Sequence, residues 1–155
     1  MSKLSSKFVA LGILGFTIAP ALGQPTSTTI DGYYMANASE NCPTLTTGSF
    51  CTATFPAVPT GKFLVVSHVS CLIATIAVAT PFVAELAAGS SSAQQTFLTN
   101  GVGVLFDGTA YYEGTFSVES VSTSGQQPLV NVTPLASSAN LSMNCTIAGN
   151  LHTNP

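Results

Sequence analysis

His68 is the residue that most invites a chemical reading. It lies among Val66, Val69 and Ser70 in an apolar-rich run, where an imidazole can serve as a general base. No acid stands at a spacing that would orient it, and no Gly-x-Ser-x-Gly elbow supplies a nucleophile. A histidine hydrogen-bonded within a sheet or at its edge is the simpler expectation. His152, near the C-terminus, is expected in solvent. Glu113 and Glu119 would share a face of one continuous strand and form a carboxylate pair of the glycosidase kind. Gly114 is expected to interrupt that strand, leaving solvated carboxylates. Asp31-Gly32 and Asp107-Gly108 read as turns rather than as oxygen donors to calcium, because no Asp-rich loop accompanies them. In the adjacent pairs Tyr33-Tyr34 and Tyr111-Tyr112, one ring of each faces the core and the other faces water. The outward ring is the one sign of a carbohydrate platform, and strand propensity accounts for it equally well.

Cys42, Cys51, Cys71 and Cys145 admit three pairings. We expect Cys42–Cys51, closing a short loop, and Cys71–Cys145, tying distant strands. Alternation places Phe63, Val65, Val69 and Cys71 on one side of one strand, and Leu141, Met143, Cys145 and Ile147 on one side of another. Both sulfurs then point inward. Neither histidine stands at zinc-ligand spacing from a cysteine pair, and no cofactor or metal is expected. Asn37, Asn131, Asn140 and Asn144 begin glycosylation sequons, which a chain rich in Asn, Ser and Thr produces by chance.

The segment at 1–23 is expected to be a secretory signal. Lys3 and Lys7 precede the apolar run Phe8–Ala19, and Ala21-Leu22-Gly23 supplies small residues before Gln24. The remainder would mature in an oxidising compartment, secreted, periplasmic or at the cell surface. It would hold Lys62 as its single cation against Asp31, Glu40, Glu85, Asp107, Glu113 and Glu119, so 1 − 6 = −5. A surface so poor in cations cannot neutralise a row of phosphates, which argues against nucleic acid, and it has no polybasic cluster for anionic lipid.

Residues 24–49 read as a polar, turn-rich lead-in with at most one strand near Thr28–Tyr34, and 50–155 as the folded domain. Pro56, Pro59 and Gly61 force a turn before the clearest strand, Lys62–Cys71. Leu72–Ala88 is apolar enough to raise a membrane helix, but Pro81, Glu85 and many β-branched residues oppose one, and no span is expected after signal removal. Thr80-Pro81 with Gly89 would also cap a short helix; a strand paired with Ala93–Leu98 across Gly89–Ser92 is preferred. Val102–Phe106, Tyr111-Tyr112, Phe116–Ser122 and Asn140–Leu151 supply further strands, with Glu113-Gly114 as a bend and Gly125–Pro134 as a turn and an edge. Short strands at roughly ten-residue spacing indicate an all-β antiparallel sandwich or barrel.

Val58-Pro59-Thr60-Gly61-Lys62-Phe63-Leu64-Val65-Val66-Ser67-His68-Val69-Ser70 resembles the "VPAGKRLVIEHVS" strand of small exported bacterial proteins of unknown function. Ile147-Ala148-Gly149-Asn150-Leu151 is similar to their closing "ISGYLV", and Leu105–Val118 loosely echoes their "LYADPGTTVTVSV". Phe63 stands where those proteins often carry Arg, and the extra cysteines are a departure. The resemblance implies a small jelly-roll-like sandwich and no activity. The reading that fits best is an exported, non-enzymatic sandwich, a surface, matrix or binding module. A subunit of an extracellular fibre or coat is the first alternative, through self-association at a strand edge. A carbohydrate-binding protein or hydrolase using His68, Glu113, Tyr111 or Tyr112 is the second.

Overall fold

The computed structural model describes residues 25–30, 32–46, 48–76, 82–87, 94–98, 104–106, 108–134 and 138–153. The expected leader at 1–23 and the turn at Gly89–Ser92 lie outside them. Ten strands and no helix occur among the described residues: β1 (Thr26–Ile30), β2 (Tyr33–Leu45), β3 (Cys51–Thr54), β4 (Lys62–Ile76), β5 (Phe82–Ala87), β6 (Gln94–Leu98), β7 (Val104–Phe106), β8 (Thr109–Ser122), β9 (Leu129–Pro134) and β10 (Ser138–Thr153). They form two antiparallel sheets, six strands in the order β1-β2-β10-β4-β8-β7 and four in the order β3-β9-β5-β6.

The inner faces of the two sheets make one core. The large sheet contributes Leu64, Val69 and Ile73 from β4, Leu141, Met143 and Ile147 from β10, and Ala110 and Tyr112 from β8. The small sheet answers with Phe82, Ala84 and Leu86 from β5 and Val130 and Val132 from β9. Phe82 meets Tyr112 edge-on, with ring centroids 5.1 Å apart, a geometry that aligns ring edge with ring face. Phe82–Ala87 is a strand paired with β6, as preferred over a helix.

The strand facing on β4 departs from the expectation. Leu64 and Val66 are buried, then Val69, Cys71 and Ile73 are, so the inward parity changes partway along. Ala148 pairs with His68 while Gly149 pairs with Val66, leaving Ser67 as an extra residue of β4. This bulge turns Phe63 and Val65 to the outer face, correcting the prediction that they share a side with Val69 and Cys71. A side chain at Gly149 would run into the Val65 carbonyl and lie 2.8 Å from the Val66 Cα, so glycine is what lets β10 pass the bulge.

Three further differences have physical causes. β8 is continuous through Glu113-Gly114, with Gly114 opposite Cys71. The glycine is there to make room: a Cβ would lie 2.6 Å from the Phe116 ring. The segment read as a lead-in holds β1 and the thirteen-residue β2, which pairs with β10 almost along its length. Its inward residues include Tyr34, Ala36 and Ala38, and alanine is too weakly apolar to advertise a strand among polar neighbours. β9 lies inside its sheet, between β3 and β5, rather than at an edge.

Both expected disulfides are present and no cysteine is free. Cys42–Cys51 closes the expected short loop, and Cys71 and Cys145 both point inward as expected. Cys71 and Cys145, 74 residues apart in sequence, stand directly opposite on neighbouring strands of one sheet. Cys42–Cys51, spanning 9 residues, joins β2 of the large sheet to β3 of the small one. The short loop is the covalent clamp between layers.

Candidate functional site

The four-stranded sheet covers one face of the six-stranded sheet; the opposite, outer face can be assembled row by row from the strand register. Nearest the β1–β2 turn, Ile30, Tyr33, Asn150, Val65 and Val121 lie side by side. Further along come Thr26, Asn37, Thr146, Ser70 and Thr115. This second row is knit by its own side chains: Asn37 Nδ2 donates to Thr146 Oγ1 at 3.1 Å and to Asn144 Oδ1 at 2.7 Å, and Thr115 Oγ1 donates to Ser70 Oγ at 3.1 Å.

At the far end Asn41, Ser142, Ala74 and Tyr111 form a third row. Two small side chains, Ser142 and Ala74, lie between a larger amide and an aromatic ring, and the difference in size makes a groove. Its volume is about 340 Å³, with Thr109 and Asn140 completing the lining. A neighbouring depression of about 380 Å³ extends it past Leu72 to Glu40 and Asn144. Asn140 enters through an irregularity: the pairing with β4 shifts register between Ala139 and Leu141, and Asn140 has φ 54°. Asparagine tolerates this left-handed conformation better than other non-glycine residues. Bulges recur beside binding sites because they re-aim one side chain out of the ladder.

Tyr111 is 37% exposed and Tyr33 50%, whereas Tyr112 and Tyr34 are buried, as the adjacent pairs predict. Burial raises the Tyr34 phenol above its ordinary 10.0, with the Ser27 hydroxyl pulling the other way. The described residues that line the groove are amides, hydroxyls, Ala74 and one ring, and Glu40 lines the depression beside it.

The other candidates are not brought together. His68 is exposed, and its Nδ1 lies 2.9 Å from Ser67 Oγ. The Ser67 hydroxyl also reaches the Ala148 carbonyl, at 3.3 Å. The two contacts tie down the bulge. Glu113 pairs with Leu72 and His68 with Ser117, which sets His68 and Glu113 roughly 13 Å apart along the strands. Glu113 and Glu119 share the outer face of β8 but stand roughly 20 Å apart at strand rise. Glycosidase carboxylates lie about 5–9.5 Å apart. His152 is exposed and stacks on Phe63, with centroids 5.0 Å apart.

Among the described residues no group of three or more His, Cys, Asp or Glu is placed to hold a metal ion, and no helix is long and apolar enough to cross a membrane. Of the sequon asparagines, Asn37 and Asn144 are bonded to each other, and Asn131 accepts from Thr52 Oγ1 at 2.7 Å. No known family model matches the chain, and no curated protein is similar to it.

Proposed function

We propose that this chain is an exported, non-enzymatic β-sandwich binding module that holds a neutral, hydroxyl-rich ligand of the carbohydrate class in the groove beside Tyr111. The observation that carries the reading is the composition of that groove. An exposed aromatic ring lines it together with Asn41, Asn140 and Thr109, around a floor of Ser142 and Ala74. Sugars present apolar C–H faces to rings and hydroxyls to amides, and they need no countercharge. The basic start and apolar run at the N-terminus support export, and two disulfides fit an oxidising, extracellular setting. The dispersed positions of His68, Glu113 and Glu119 favour binding over hydrolysis.

Titration calorimetry against a panel of neutral oligosaccharides tests this. Binding is expected to at least one member, with Tyr111→Ala weakening it about tenfold, the equivalent of about 1.4 kcal/mol. Tyr33→Ala, on the same face but remote, should leave it unchanged. No binding across the panel, or equal binding by the Tyr111 variant, rejects the proposal. A second reading, a coat or fibre subunit, draws on one feature outside the groove, the edge of β1 that pairs with no other described strand.

A further inference from the structure

We infer that β1 is a pairing edge for a second copy of this chain, joining two six-stranded sheets across a two-fold axis. Among the described residues β1 hydrogen-bonds only to β2, so the other edge of Thr26–Ile30 offers its backbone donors and acceptors to a partner strand. All five of its residues are exposed, whichever face they point to. A strand with one neighbour and no layer above or below is marginal in water, and a second partner removes that deficit.

Edges of this kind are ordinarily protected by lysine, proline, a bulge or an inward charge. Thr-Ser-Thr-Thr-Ile has none of them, and its pairing with β2 is regular throughout. The opposite edge of the same sheet, β7, is only three residues long. β3, an edge of the small sheet, has four residues and is clamped by Cys51 to β2.

The occupant follows from charge and symmetry. A segment 24–155 with six acids and one lysine repels its own copy over most of its surface, but β1 contains no charged residue. Antiparallel pairing of a strand with itself is self-complementary: a two-fold centred on Thr28 sets Thr26 against Ile30 and, because the axis repeats every bond, offers about four hydrogen bonds. It also sets the exposed Ile30 of each copy against Thr26 of the other. Such an interface is small, at the low end for specific association, so the dimer is weak, with a Kd on the order of 50 µM. The inference stands apart from the groove, which lies at the other end of the outer face.

Sedimentation velocity of the secreted, disulfide-intact protein from about 5 to about 500 µM decides it. The expected result is a reversible monomer–dimer equilibrium that stops at two. Thr28→Lys puts like charges face to face at the axis and should weaken the dimer at least tenfold, with circular dichroism and oligosaccharide binding unchanged. Thr28→Val should leave the dimer intact. A monomer at every concentration overturns the inference, as does a dimer indifferent to Thr28→Lys. Open-ended growth also overturns it, because that requires β1 to pair with a different edge.

Discussion

Glycine is used at two places on these strands for opposite mechanical reasons, and substitution separates them. At Gly149 an added Cβ meets backbone of the adjacent strand, which cannot swing aside. Gly149→Ala is expected to cost about 3 kcal/mol in denaturant unfolding, the upper range for overpacking. At Gly114 the obstacle is the end of the half-buried Phe116 ring, which can rotate, so Gly114→Ala should cost about 1 kcal/mol. Equal costs for the two would mean that the bulge is not what Gly149 serves. Tyr34 gives a pH prediction. Its phenol pKa is raised in the folded state, so the native protein holds that proton more tightly than the unfolded chain. The resulting stability is fully present below pH 10.0, the unfolded value, and is lost as pH rises through the folded one. Tyr34→Phe should flatten the alkaline decline in unfolding free energy. It should also leave neutral-pH stability equal or slightly higher, because the hydroxyl is buried without a well-formed hydrogen bond. A steeper alkaline decline in the variant would contradict the assignment. The inward and outward tyrosines are legible in sequence because alternation is local. The groove is not, since Asn41, Tyr111 and Asn140 meet only through the pairing of β2, β10, β4 and β8.

At the scale of elements, the two disulfides act differently. In the chain-entropy account, the bridge spanning 74 residues contributes about 4.5 kcal/mol and the one spanning 9 about 2.6 kcal/mol. Double alanine variants are expected to rank in that order by urea unfolding. The local response should rank the other way. Cys71 and Cys145 already lie opposite each other in a hydrogen-bonded sheet, whereas only Cys42–Cys51 spans the layers covalently. Losing Cys42–Cys51 should therefore speed amide exchange in β3, and losing Cys71–Cys145 should not. Comparable exchange in β3 for both variants would refute this division of labour. Periodicity marks most of β4, β8 and β10, so two-layer all-β architecture and both cysteine partners can be read from the chain. Ser67 escapes such a reading. One inserted residue reverses the facing of Phe63 and Val65, and serine carries no local sign of a bulge. β2 escapes for a different cause: Ala36 and Ala38 fit a thin layer but contribute little hydropathic contrast.

The whole molecule has two unlike surfaces on its large sheet. One is sealed by the small sheet; the other is graded from an apolar row at Ile30, Tyr33 and Val65, through a hydroxyl and amide row, to the groove at Tyr111. With Lys62 as the single cation in 24–155, association at this face should respond weakly to salt, because little counterion rearrangement accompanies contact. Oligosaccharide binding measured at low and at high salt should agree within about twofold; a tenfold loss at high salt would point to a charged ligand instead.

The position of Cys145 has a mechanical consequence. β10 lies between β2 and β4, and its covalent link to Cys71 falls near the strand's midpoint. Tension applied at Thr153 loads two ladders in shear. Even when those ladders yield, unzipping halts at the crosslink after at most the eight residues 146–153 have come away. Tugged from that end, as a tether to a wall or a matrix would tug it, the body gives a little slack and then holds.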